Sequence, residues 1–186
     1  ALFGKRKANR GFEGIALSPD EKTLYAVMQS PLSNPDKQTG DASRNTRVVA
    51  FDIAGGKLTA EYLYLFEDPR TFGEQVSPGD VKLSGAVSIG GSRLLVLEHT
   101  DGSARIYAAD LSRATNLLGT AWDDPGIAPS LEAIDASAGQ VSAVEKRLIL
   151  DLDQVEGHPD KIEGIAVVDA STIAFVNDND FDLGEF

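Results

Sequence analysis

The chain has 186 residues, no cysteine and a formal net charge of -12, from 17 Lys and Arg against 29 Asp and Glu. This charge repels the phosphates of nucleic acids and of anionic lipids, so we expect no nucleic-acid partner and no membrane-surface partner. The lack of cysteine excludes disulfides and thiolate metal sites, and the lack of an apolar run of roughly 18 residues predicts no membrane insertion.

The first predicted unit is a β-propeller blade over residues 9–70. It opens with a hairpin, Glu13–Leu17 followed by Leu24–Val27, and continues with the apolar runs Arg47–Ile53 and Tyr62–Phe66. Short runs of β-branched, aromatic and leucine residues between polar turns are typical of strands. Four antiparallel strands in one unit are typical of a propeller blade.

The second predicted blade covers residues 79–153 and repeats this order. Its runs are Gly85–Ile89, Leu94–Glu98, Arg105–Leu111 and Arg147–Leu150. The third strand returns with the same Arg-apolar-apolar-Ala-apolar-Asp-apolar pattern as in the first unit. A two-sheet sandwich is the structural alternative, but it does not explain why the same pattern recurs at the equivalent strand of both units. The repeat therefore favours a propeller.

The third unit, residues 160–186, has only a first hairpin. Glu163–Val167 repeats the opening Glu-Gly-Ile-Ala pattern, and Ile173–Val176 is its second strand. We therefore expect an all-β fold of about two and a half blades of four antiparallel strands, a fragment of a larger propeller, because propellers usually have four to eight blades. The open strand edge would be covered by the rest of its own propeller or by another protein chain.

Two segments between the predicted strands look like insertions. Residues 31–46 are almost wholly polar, so we expect a long loop with too little apolar surface to order itself. Residues 119–139 contain Trp122, the one tryptophan of the chain. We expect its ring to anchor this segment by burial, with stacking on a ligand as the alternative.

Carboxylates recur at the ends of these hairpins and form the candidate metal site. Glu13, Glu98 and Glu163 lie inside or beside apolar runs, where an unpaired carboxylate is unfavourable. Asp178 and Asp180 belong to an Asn-Asp-Asn-Asp turn after the third hairpin. Calcium takes six to eight oxygen ligands of these types, so calcium is the predicted cofactor. An acidic turn, with glutamates that cap nearby backbone amides, explains the same pattern.

Other signatures of catalysis are absent from the sequence. It has no G-x-S-x-G elbow, no H-E-x-x-H and no phosphate-binding P-loop. Two histidines, His99 and His158, are available as bases, although a surface position is the commoner case for such residues. Catalytic residues therefore stay unassigned.

Several motifs in this order resemble a known family. They are Asn9–Asp20, Leu94–Glu98, Arg105–Tyr107, Lys161–Gly164 and Asn177–Phe181. Together they resemble the bacterial phytase-like propeller family described as having esterase-like activity. The resemblance implies a periplasmic, cell-surface or secreted protein. An export signal would lie upstream, because the first seven residues have no apolar signal core.

By analogy with calcium-dependent propeller phytases, the resemblance implies hydrolysis of phosphoric esters, with a phosphorylated small molecule as partner. Arg10 and Lys161 each precede a key glutamate and are candidate phosphate-binding residues. Ion pairs with those same glutamates are the alternative. Fold does not settle function, so a non-catalytic scaffold or subunit of a cell-envelope assembly, with structural calcium, is the other hypothesis.

Overall fold

The computed structural model describes residues 1–178, and these residues fold into ten β-strands, one short α-helix and several 3-10 turns. The strands form two four-stranded sheets and one two-stranded sheet. The first sheet contains β1 (Phe12–Leu17), β2 (Thr23–Met28), β3 (Asn45–Asp52) and β4 (Lys57–Leu65). The second contains β5 (Lys82–Gly90), β6 (Arg93–His99), β7 (Ala104–Asp110) and β8 (Glu145–Asp151). The third contains β9 (Ile162–Asp169) and β10 (Thr172–Asn177).

Within each sheet, strands that follow one another in the chain pair antiparallel. The predicted all-β fold with four-stranded antiparallel units is therefore confirmed. The three hairpins expected at residues 13–28, 85–98 and 163–177 are also present. Short polar turns close them, as where the Ser18 hydroxyl donates to Asp20 over 2.7 Å. We call the two four-stranded sheets the first and second blade, and the last pair the third hairpin.

Two apolar clusters hold the sheets together, one between the two blades and one between the second blade and the third hairpin. Val27 of the first blade packs with Leu83 and Val96 of the second, whereas Leu97 packs with Ile162 of the third hairpin. Side chains along a strand alternate between the two faces of a sheet. The strands β6 and β7 of the second blade are therefore buried on both faces, and its first strand, β5, lies between β1 and β9.

Apolar side chains are exposed on the outer units of the described chain. Ile15 of β1 is 65% exposed, and Val168 and Val176 of the third hairpin are each 63% exposed. Within residues 1–178 the sheets do not close into a ring. In the same range no helix is long and apolar enough to span a bilayer.

The expectation that residues 31–46 form an unordered loop is wrong. This segment contains the helix α1 (Lys37–Ala42), and the Asp36 side chain accepts a hydrogen bond from the backbone of its first turn. Leu32 is fully buried in a small cluster with Leu2. The segment is ordered because the N-terminal residues supply the apolar surface that it lacks itself.

The second insertion, between β7 and β8, is anchored as predicted. Trp122 is partly buried in a cluster with Leu63 of β4. A buried ionic contact adds to this anchor: Arg47 Nε lies 2.6 Å from Glu61 Oε1, and the guanidinium also pairs with Glu132 of the insertion. Because removal of one partner of an ion pair in an apolar interior is strongly destabilising, this contact holds the insertion against the first blade.

Candidate functional site

Each of the three hairpins has a β-bulge at the same place in its first strand. The pairing of β1 with β2 skips Glu13, the pairing of β5 with β6 skips Ser84, and the pairing of β9 with β10 skips Glu163. A bulge leaves one residue unpaired and redirects its side chain, and bulges are frequent beside active sites. The Glu-Gly repeat of the sequence is thus a repeat of bulges, with serine replacing the acid in the second blade.

The glycine after each of the first two bulges allows neighbouring first strands to approach closely. A Cβ on Gly14 would lie 2.9 Å from the Ser84 carbonyl oxygen, and one on Gly85 would lie 2.8 Å from the Ile165 side chain. No larger residue fits without displacement of the neighbouring strand. The three bulges are therefore held next to one another where the blades meet.

The strand ends beside the bulges bring lysines to the same place. Lys82 pairs with His99 across the second hairpin, and Asp178 donates its backbone N–H to the Lys161 carbonyl across the third. Lys82 and Lys161 each precede the bulged residue by two positions. Sequence reasoning identified Lys161 but missed Lys82, although the repeat places them at equivalent positions.

Glu163 is the centre of this charged group. Burial raises the pKa of its carboxyl group, and the neighbouring carboxylates of Asp178 and Glu13 raise it further. The positive charges of Lys82 and Lys161 lower this pKa, but by less than burial and the two carboxylates together raise it. The structure therefore brings two other predicted metal ligands, Asp178 and Glu13, and two lysines within electrostatic reach of Glu163.

Glu98 lies in a different environment. Its side chain is fully buried and accepts hydrogen bonds from the Tyr64 hydroxyl (2.9 Å), the Lys146 ammonium (2.8 Å) and the Glu67 backbone N–H (2.5 Å). These partners belong to the first and second blades, and none of these bonds reaches Glu13. A metal-binding role for Glu98 would require these hydrogen bonds to be replaced.

The surroundings of Glu13 and Arg10 also differ from expectation. Glu13 is exposed, so it does not need the compensating partner that its apolar neighbours in the sequence implied. Arg10 donates from Nη1 to Ser30 Oγ (3.1 Å) and to the Gly79 carbonyl (2.7 Å). These contacts join the arginine to the segment after β2 and to the turn before β5, without an ion pair to Glu13.

His99 is not a surface residue. It is 1% exposed, and burial lowers the pKa of its ring to about 4, so the imidazole is neutral at neutral pH. Its Nδ1 lies 3.1 Å from the Thr100 carbonyl oxygen, which makes Nδ1 the protonated nitrogen. Within the described part of the chain Nε2 has no hydrogen-bond partner.

A complete metal cage is not formed by the described residues. Among residues 1–178, no three Asp, Glu or His side chains converge closely enough to hold a metal ion. The predicted ligand Asp180 lies outside the described residues, as does half of the Asn-Asp-Asn-Asp turn. Glu163, Glu13 and Asp178 offer the carboxylate oxygens that calcium prefers, but they fit such an ion only with further donors.

Comparison with known proteins gives two matches. A family model described as "Phytase-like: Esterase-like activity of phytase" matches residues 3–181. A protein of Arthroderma benhamiae, named "Uncharacterized secreted protein", is 41% identical over 69 residues, which are 34% of this chain and 14% of the relative. The match thus spans about one seventh of that relative's length. No solved structure matches the chain.

Proposed function

The chain belongs to the phytase-like family, which is described as having the esterase-like activity of phytase, and from this membership we propose that the protein hydrolyses phosphoric esters in the cell envelope or outside the cell. The family supports a hydrolase, and the secreted relative supports export to the periplasm, the cell surface or the medium. The phosphoric-ester substrate is the more specific part of the proposal. The observation that carries it is the charged group around Glu163, where carboxylates and lysines from the first strands of all three hairpins and from the end of β10 act on this side chain.

The two kinds of charge suit different parts of such a reaction. The ammonium groups of Lys82 and Lys161 would offset the negative charge of the ester phosphate and orient it. Glu163 has a raised pKa and would accept a proton from the attacking water as the new phosphorus–oxygen bond forms. The ester oxygen then leaves with the bonding electrons and takes up a proton, which balances the reaction.

Calcium dependence is a further part of the proposal. Glu163, Asp178 and Glu13, with Asp180 and other donors, would hold the ion, whose positive charge would supplement that of the lysines at the phosphate. Burial and, to a smaller extent, the carboxylates of Asp178 and Glu13 raise the pKa of Glu163, and this repulsion between carboxylates supports a cation in this position. Arg10 remains a candidate phosphate-binding residue together with Lys161.

The test combines activity and stability in one set of samples. Hydrolysis of a chromogenic phosphate monoester and the melting temperature are measured with calcium and with chelator, for the unchanged protein, Glu163→Gln and a control, Glu145→Gln. Glu145 is an exposed glutamate on β8. Loss of a proton acceptor should lower kcat roughly 100-fold in Glu163→Gln and leave the control unchanged. Equal activity of the two variants would contradict the proposed role of Glu163.

The second candidate is a non-catalytic scaffold or assembly subunit. The exposed side chains of Ile15, Val168 and Val176 favour it, because apolar surface of this kind is typical of contact with another polypeptide. That polypeptide would be further blades of the same propeller or another chain. A calcium-dependent rise in melting temperature without hydrolysis would support this candidate, and the absence of any calcium effect would remove the metal from both.

A further inference from the structure

Basic side chains surround a pocket beside the N-terminal segment of the chain. It has a volume of about 360 Å³ and lies between the N-terminal segment and the loop that leads into α1. Four cationic residues and one carboxylate line it, together with three small residues: Arg6, Lys7, Arg10, Lys37, Asp41, Ala8, Ser33 and Gly79. The lining therefore has a net charge of +3, four positive minus one negative, in a chain whose net charge is -12.

The main chain holds this pocket in place. The Ser33 N–H donates to the Lys5 carbonyl over 2.8 Å, which ties the loop to the N-terminal segment. Leu2 is buried against Leu32 and Met28, so the segment is also anchored by apolar contact. The basic residues are thus presented by an ordered wall of the pocket, and their proximity is a feature of the fold.

The positive charges in the pocket are only partly offset. Asp41 lies 3.0 Å from Lys7 and also pairs with Lys37. Lys7 has a side chain only 10% exposed; burial lowers its pKa and Asp41 raises it, while Arg10 and Lys37 lower it further. Arg10 uses only Nη1 for its two hydrogen bonds. In the described residues its Nε and Nη2 therefore remain available to an acceptor.

We propose that this pocket is a binding site for a phosphate-class anion, such as inorganic phosphate or the phosphate group of a monoester. An oxyanion with several acceptor oxygens can bind a guanidinium and ammonium groups at once. It would also reduce the repulsion among the cations that line the pocket. The sequence made Arg10 a candidate for phosphate binding because it precedes Glu13; the pocket gives it three cationic neighbours, Arg6, Lys7 and Lys37, that the sequence did not connect with it.

This pocket shares only Arg10 with the residues proposed for hydrolysis. None of the bulged residues lines the pocket, and the pocket needs no metal. Binding is therefore measured by calorimetry in the presence of chelator, with inorganic phosphate, a phosphate monoester and sulfate as separate titrants. Phosphate binding without hydrolysis would leave this inference intact and count against the proposed function alone.

Variants locate the binding. Lys7→Gln should weaken phosphate binding about tenfold, as expected for the loss of one charge-assisted contact, and Lys7→Arg should restore most of it. Lys37→Gln changes an 81% exposed side chain that the fold does not require, and should weaken binding about threefold. Lys22→Gln removes the same charge at the turn of the first hairpin, outside the pocket, and should have no effect.

Three results would overturn the inference. They are no binding of any titrant at millimolar concentration, equal weakening by Lys22→Gln and Lys37→Gln, and unchanged binding in both Lys7→Gln and Lys37→Gln. Thermal melting of each variant shows whether it is folded, and Lys37→Gln keeps the test valid if Lys7→Gln is not. A preference for the monoester over inorganic phosphate and sulfate would identify the ester as the natural ligand; equal affinity would assign a general oxyanion site.

Discussion

Replacement of Glu98 by glutamine should destabilise the protein in a way that does not depend on calcium. The carboxylate is fully buried and accepts hydrogen bonds from Tyr64, Lys146 and Glu67. Glutamine keeps the shape of the side chain but removes its charge. One of its two oxygen positions also becomes an NH₂ group, which would face a donor.

The size of the expected loss of stability depends on the contacts that Lys146 keeps in Glu98→Gln. Loss of one partner of a buried ion pair typically costs about 3–5 kcal/mol. Lys146 is 14% exposed, lies 3.7 Å from Glu67 Oε2 and keeps contacts with the rings of Tyr64 and Tyr107 at 5.0 and 4.4 Å. Because these contacts still offset its charge, we expect the lower end of the range, about 3 kcal/mol.

The assay is urea unfolding of the unchanged protein, Glu98→Gln, Lys146→Met and the double variant, with calcium and with chelator. The double-mutant cycle should give a coupling energy of about 1–2 kcal/mol between the two side chains. A loss below about 1 kcal/mol for Glu98→Gln would refute the reasoning. A loss seen only in the presence of calcium would instead make Glu98 a metal ligand, as its sequence position suggested.

Three further predictions concern the contact between blades and the titration of buried groups. Gly85→Ala should cost about 1–3 kcal/mol in urea unfolding, since its Cβ would meet the Ile165 side chain at 2.8 Å; Gly102→Ala, with open space around it, should cost much less, and equal losses would contradict the close approach of the strands. NMR titration of the His99 ring should give a pKa of about 4, below the ordinary 6.5. Because the unfolded state takes up the proton first, stability falls from about pH 6.5 to about 4, and His99→Gln should flatten that slope. The pKa of the Glu163 carboxyl group is raised from 4.5 in the folded state, so the stability that its protonation contributes is lost as the pH rises through the folded-state pKa. The free energy of unfolding of Glu163→Gln should therefore increase relative to that of the unchanged protein towards neutral pH. A constant difference between the two free energies across that range would disprove the shift.

Much of the fold could be predicted because its information is local. Alternating apolar residues, polar turns and the return of the Glu-Gly pattern predict the hairpins at Glu13 and Glu163, and each depends on residues close together in the chain. The same repeat contains the signal for Lys82, which stands two positions before the bulge as Lys161 does. That residue was missed because the serine at the second bulge hid the equivalence.

The partners of the charged residues were decided by the tertiary structure. Glu98 stands at the end of an apolar strand in the sequence, but its hydrogen-bond partners Tyr64 and Lys146 are 34 and 48 positions away. The order of residues 31–46 depends on the N-terminal Leu2, and the basic pocket joins Lys7 to Lys37. Local pattern determines which strands form and which faces are apolar, whereas the meeting of distant side chains depends on how the blades pack, and no short stretch of sequence contains that information.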